Sequence, residues 1–171
     1  MSSRTVNRIP AKFFATKGAG SSDNQIHAGS YHMALHEAGI SDYNIQTYSS
    51  VLPACAREVM MKDAVLPEFG SEMMTIMAVA NGKKGERISA GIVHAWMYDF
   101  TGKKIGGLVC EVSGKMDRES LRSDLQTAIL ELHSRTYGQY KLGDLRFLTN
   151  EYEVDKAYGT VLTALCFTEY K

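Results

Sequence analysis

The chain has 171 residues, 44% of them hydrophobic, which is enough to bury a sizeable core and short enough to be one domain, residues 1–171. Lys plus Arg and Asp plus Glu are 19 each, so the formal charge is zero. That balance argues against a nucleic-acid clamp or a membrane-surface binder, since both draw affinity from massed basic residues.

In chain order, KFFAT (12–16) reads as a short β-prone run ended by the glycine-bearing GAGSSD. Asp23 then opens a helix through NQIHAGSYHMALHEAG, with Ile26, Tyr31, Ala34, Leu35 and Ala38 near helical spacing and Gly39 as its stop. YNIQTY is a strand, with Asn44, Gln46 and Tyr48 sharing one face. Pro53 and Pro67 bracket an irregular segment with one helical turn at ACAREV. EMMTIMAVA and RISAGIVHAWMYDF follow as strands joined by NGKKGE, whose Asn-Gly predicts a hairpin. A second turn, DFTGKK, leads into the strand IGGLVCEVS. DRESLRSDLQTAILELHSRTYG is the longest helix, with Leu121, Leu125, Ile129 and Leu132 along one face. LRFLTNEYEV and TVLTALCFTEY close the chain as strands. Two helices and six or seven strands make an α+β domain, with helices covering an antiparallel or mixed sheet.

Cys55, Cys110 and Cys166 form no CxxC pair and fit reduced cytoplasmic thiols better than a disulfide framework. MSSRTVNRIP lacks the apolar run of a signal peptide, and no stretch approaches the ~18 consecutive apolar residues of a membrane span. Gly18-Ala19-Gly20 lacks the third glycine of a dinucleotide loop and the lysine of a phosphate loop, so a turn is the plainer reading. His32 and His36 are spaced to share a metal, but no HExxH frame or acidic third ligand accompanies them, and no metal is expected. His94, inside an apolar strand, reads as a satisfied core histidine. Glu111 interrupts the otherwise apolar IGGLVCEVS, where a carboxylate needs a partner or a task; a solvent-facing edge position is the plainer alternative. Ser49-Ser50, between a strand and Pro53, reads either as a polar turn or as a bond on which the protein acts.

FFATKGAGSSD, AGSYHMALHEAGI, YNIQTYSSVLP and GGLVCEVSGKM occur in this order, followed by LTALCF. Together they resemble the pyruvoyl-dependent arginine decarboxylases over nearly the whole chain. The most specific part is N-[IL]-x-x-x-S-S-[IV]-[LM]-P, present as Asn44 to Pro53. The resemblance implies a four-layer αββα sandwich and homotrimers, or dimers of trimers, with active sites between neighbours. It implies that Ser50 attacks the Ser49 carbonyl, with Asn44 as a donor to the oxyanion. Residues 1–49 would be one chain and 50–171 the other, the latter opening with a covalent pyruvoyl group made from Ser50. That group would hold an amino acid substrate as a Schiff base and draw electrons as CO₂ leaves, with neither pyridoxal phosphate nor metal. Glu111 would be the catalytic acid.

In the segment matching SYHMAL, where the arginine enzymes carry an acid for the guanidinium, this chain has His32. A neutral imidazole lacks the charged bidentate contact that arginine favours. Tyr43, Leu35 and Val51 complete the expected substrate contacts, and Glu37, a nearby acid, is turned to another face by helical spacing. Arginine to agmatine is the leading reaction; histidine or another amino acid, and a non-catalytic oligomer, are the alternatives.

Overall fold

A computed structural model describes residues 8–171; the reading of MSSRTVN as lacking a signal run lies outside them. Among the described residues ten strands occur in chain order: β1 (Pro10–Ser22), β2 (Asn44–Thr47), β3 (Val51–Pro53), β4 (Arg57–Glu58), β5 (Glu72–Lys83), β6 (Arg87–Tyr98), β7 (Lys104–Gly114), β8 (Lys141–Leu142), β9 (Arg146–Glu153) and β10 (Tyr158–Tyr170). They form two sheets. One has the order β2-β5-β10-β1-β4; the other has β3-β7-β6-β8, with β9 also pairing β6. Helices α1 (His32–Glu37) and α2 (Arg118–Thr136) cover the outer faces.

Three apolar clusters mark the three spaces between four layers. Phe13, Ile76, Ile92, Val109 and Leu165 fill the space between the sheets. Leu35 of α1 packs with Phe14, Ile40, Leu162 and Cys166, while Leu121, Leu125 and Ile129 of α2 pack with Val93 and Leu108. Successive side chains on a strand point to opposite faces, which is why Phe13 and Phe14 enter different clusters. β6 and β10 are covered on both faces, and their near-continuous apolar runs follow from that. The α+β class expected from the element pattern, and the sandwich that the resemblance implies, agree with the fold observed.

Several local readings change. The KFFAT strand continues through GAG to Ser22, because Gly18 and Gly20 are where α1 closes on β1. A Cβ at Gly18 would meet the Ala34 carbonyl oxygen and lie 2.8 Å from the Ala38 nitrogen. The first helix is shorter than its apolar spacing predicts. Ile26–Tyr31 forms a wide, π-type turn interrupted at Gly29 (φ −117°, ψ −105°), and regular helix starts at His32. A Cβ at Gly29 would lie 2.7 Å from Ser22 Oγ.

ACAREV makes no helical turn. Ala56 N–H donates to Pro53 O at 2.9 Å, closing a single β-turn, and Arg57–Glu58 then pair with β1 in parallel. NGKKGE makes no hairpin ladder either. Asn81 and Gly82 stay in β5, paired with Thr160 and Gly159, and the turn falls at Gly85 (φ 81°). There the chain leaves one sheet for the other, so β5 and β6 pack face to face. The DFTGKK turn does join a ladder pair, β6 and β7, with the Asp99 carboxylate accepting from Thr101 N–H, Thr101 Oγ1 and Lys103 N–H.

Candidate active site

β2 lies on the edge of one sheet and β3 on the edge of the other, so Ser49-Ser50 spans the crossing between them. The approach is anchored by Tyr48, whose N–H donates to Thr75 O at 2.8 Å and whose ring meets Phe167 at 5.3 Å between centroids. Beyond the crossing, Val51, Leu52 and Pro53 pair antiparallel with Leu108, Gly107 and Gly106 of β7.

Ser50 is held from three directions. Its hydroxyl donates to the Glu111 carboxylate, 2.7 Å from each oxygen. Its carbonyl accepts from Val109 N–H at 3.1 Å, and Val51 N–H donates across it to Ser49 O at 2.8 Å. Glu111 is half-buried rather than open to solvent. Cys110 and Val112 pack toward α2, so strand alternation turns Glu111 to the inter-sheet face it shares with Val109. The adjacent Cys110 thiol is pushed up to about 11 by burial, and the Glu111 charge adds to the effect. It is therefore no thiolate nucleophile at neutral pH.

A cavity of about 330 Å³ opens beside the crossing, lined by Arg8, Ile9, Pro10, Tyr48, Ser49 and Val51 among others. His32, Tyr43, Leu35 and Asn44 gather elsewhere, around a cavity of about 660 Å³ that also touches His27 and Tyr31. Among the described residues no carboxylate lines it. The Asn44 amide donates to Gly70 O at 2.7 Å, and the Glu37 carboxylate accepts from Ala19 N–H. Within one chain, then, Ser49, Ser50, Val51 and Glu111 come together, while His32, Tyr43, Leu35 and Asn44 form a separate group. A third cavity, about 830 Å³ at the tip of the β6–β7 turn, contains none of the candidate residues.

His94 is buried and edge-on to Phe13, as the sequence implies, but it is not satisfied. Its Nε2 has no hydrogen-bond partner among the described residues and lies 3.8 Å from Glu58 Oε2. Burial lowers its pKa, opposed by Glu58 and reinforced by Arg146. Among the described residues no cluster of three or more His, Cys, Asp or Glu is placed to hold a metal, and no helix is long and apolar enough to cross a membrane. The backbone amides of Val51 and Val109 escape sequence reading, since no side-chain pattern marks a main-chain donor.

The pyruvoyl-dependent arginine decarboxylase family model matches residues 12–171. The chain is similar to the pyruvoyl-dependent arginine decarboxylase AaxB of Chlamydia pneumoniae, 27% identical over 96% of this chain and 93% of that protein. It is also similar to the pyruvoyl-dependent arginine decarboxylase of Methanocella arvoryzae, 34% identical over 49% of this chain and 51% of the relative. A third relative, the enzyme of that name from Thermoplasma volcanium, is 30% identical over 51% of this chain and 48% of its own. With a match running from the first strand to the last residue, the chain belongs to the pyruvoyl-dependent arginine decarboxylase family.

Proposed function

We propose that the protein cuts itself between Ser49 and Ser50 and decarboxylates an amino acid, with arginine to agmatine the leading reaction. The observation that carries this reading is the contact between Ser50 Oγ and Glu111, residues 61 apart in sequence. A serine hydroxyl is a weak nucleophile until a neighbouring group takes its proton, and a carboxylate at 2.7 Å is such a group. Attack on the Ser49 carbonyl converts the peptide to an ester. β-Elimination then releases Ser49 as a carboxylate, and hydrolysis of the resulting enamine frees ammonia and leaves a ketone at residue 50.

The site fits a pyruvoyl group at that position. Glu111 already reaches the Ser50 side chain, and Val109 N–H holds the carbonyl that would become the group's own amide oxygen. Such a group, once present, supplies the electron sink for decarboxylation. Glu111 is then placed to deliver the proton that replaces CO₂. The half-buried position limits water around that carboxylate. Intact mass under denaturing conditions tests the first part: fragments 1–49 and 50–171, the larger carrying a ketone, support it, and a chain that stays whole through incubation overturns it.

The separation of the His32 cavity from Ser50 within one chain supports a homo-oligomer, a trimer by family resemblance, in which neighbours complete each other's sites. Val51 and Met33, 56% and 47% exposed, offer apolar surface for such contacts. Sedimentation that finds a monomer at working concentration would remove this assembly. The three free cysteines support a cytoplasmic location for this enzyme.

A second reading keeps the chemistry and changes the substrate. The cavity around His32 presents imidazole, phenol and amide groups with no carboxylate, and Glu37 is engaged at Ala19. A guanidinium finds no charged partner there, whereas a neutral side chain such as that of histidine needs none. CO₂ release measured across the amino acids separates the readings. Arginine as the preferred substrate supports the first, and another amino acid the second.

A further inference from the structure

Of the three contacts on residue 50, one reaches the bond that is cut. We infer that the backbone N–H of Val51 is the donor that stabilises the oxyanion on the Ser49 carbonyl during self-cleavage. The inference rests on the cleavage reading above and adds the group that makes the first step feasible.

Val51 N lies 2.8 Å from Ser49 O and closes a three-residue turn around Ser50. Among the described residues no non-glycine has a positive φ, so this is the relaxed, inverse form of the γ-turn. The Val51 amide has no duty in the sheet. Along an antiparallel edge, alternate residues direct their amides toward the neighbouring strand. Here Val109 N–H meets Ser50 O, and Val51 stands opposite Leu108 with its own N–H turned back onto Ser49. The side-chain donor expected from the sequence, Asn44, is occupied at Gly70 O within the same chain.

The chemistry asks for a donor at this oxygen. When Ser50 Oγ bonds to the Ser49 carbonyl carbon, the C=O π pair moves onto oxygen and the hydroxyl proton passes to Glu111. Collapse re-forms the C=O and breaks the bond to the Ser50 nitrogen, which takes that proton. The products are an ester and a free amine. Val51 N–H already lies 2.8 Å from the carbonyl oxygen on which that charge forms, and one such donor is typically worth about 10²–10³ in rate. A turn that spans the nucleophilic residue thus fixes the carbonyl and its donor together.

The test replaces Val51 in the full chain by its α-hydroxy analogue, introduced by nonsense suppression, so that an ester oxygen stands where the N–H was. The probe is the half-time of appearance of fragment 1–49 by intact mass, which distinguishes it from fragment 1–50 produced by hydrolysis of the new ester. The expected result is cutting slowed about 10²-fold with the melting temperature of the uncut chain little changed. Val51→Pro removes the same N–H by other means and is expected to slow cutting as well. Wild-type half-times in either folded variant would overturn the inference while leaving self-cleavage standing. A wild-type chain that never cuts would overturn the cleavage reading itself, and the inference with it.

Discussion

In the proposed reaction Glu111 has two tasks at one position, accepting from the Ser50 hydroxyl in the uncut chain and supplying a proton in the cut one, and a single substitution separates them. Glu111→Gln keeps an oxygen that can accept from Ser50 but cannot exchange a proton. Cutting is expected to slow, and CO₂ release by whatever cut protein accumulates should fall by at least about 10², the usual contribution of a general acid. Turnover at the wild-type rate would free Glu111 of its proton-transfer role. His94 carries a different prediction. Its folded pKa is lowered by burial, so the unfolded chain binds more protons as pH falls. Stability is therefore lost progressively as pH drops below about 6.5, the unfolded value, until the folded pKa is reached. His94→Phe, which keeps a ring against Phe13, should flatten the fall of melting temperature over that window. An unchanged slope would place the titration elsewhere.

Elements built on side-chain periodicity were legible: β7, α2 and β10 lie where their apolar patterns place them. Elements that depend on a distant neighbour were not. Gly18 and Gly20 look like a turn because their missing side chains are used by α1, more than a dozen residues away in sequence. Asn81-Gly82 looks like a hairpin because turn chemistry is local, while the choice of sheet is made by β9 and β10 much later in the chain. At the site, the Ser49-Ser50 pair and the odd carboxylate of β7 stood out as residues, and the resemblance joined them. The turn that aims one at the other is main-chain geometry and left no mark. Gly18→Ala tests the close approach. Its Cβ faces backbone atoms that cannot rotate away, so a loss of about 1–3 kcal/mol is expected from urea unfolding of the uncut chain. An unchanged midpoint would mean that α1 shifts at no cost.

At the scale of the whole molecule, the two residue groups that one chain keeps apart call for a mixing experiment. Glu111→Gln lacks one group, and His32→Trp fills the cavity of the other. Each is expected to be inactive alone, and co-expressed chains to recover part of the activity through mixed interfaces. Hybrids that form yet stay inactive would place both groups in the service of one protomer. The crossing at Ser49-Ser50 has a consequence for the order of folding. A cut there leaves β1, β2 and α1 on one fragment, with β1 held between β10 and β4 inside a sheet whose strands β4, β5 and β10 belong to the second. Nothing dissociates while that sheet stands. Once unfolded, however, the two fragments are separate solutes, and rebuilding the sheet becomes an encounter between molecules. Refolding of the cut protein should slow on dilution, whereas formation of the folded monomer by Ser50→Ala, one continuous thread, should not. On the cleavage reading the uncut chain is a folding template used once, and the cut protein is a structure its own pieces reach only by finding one another again.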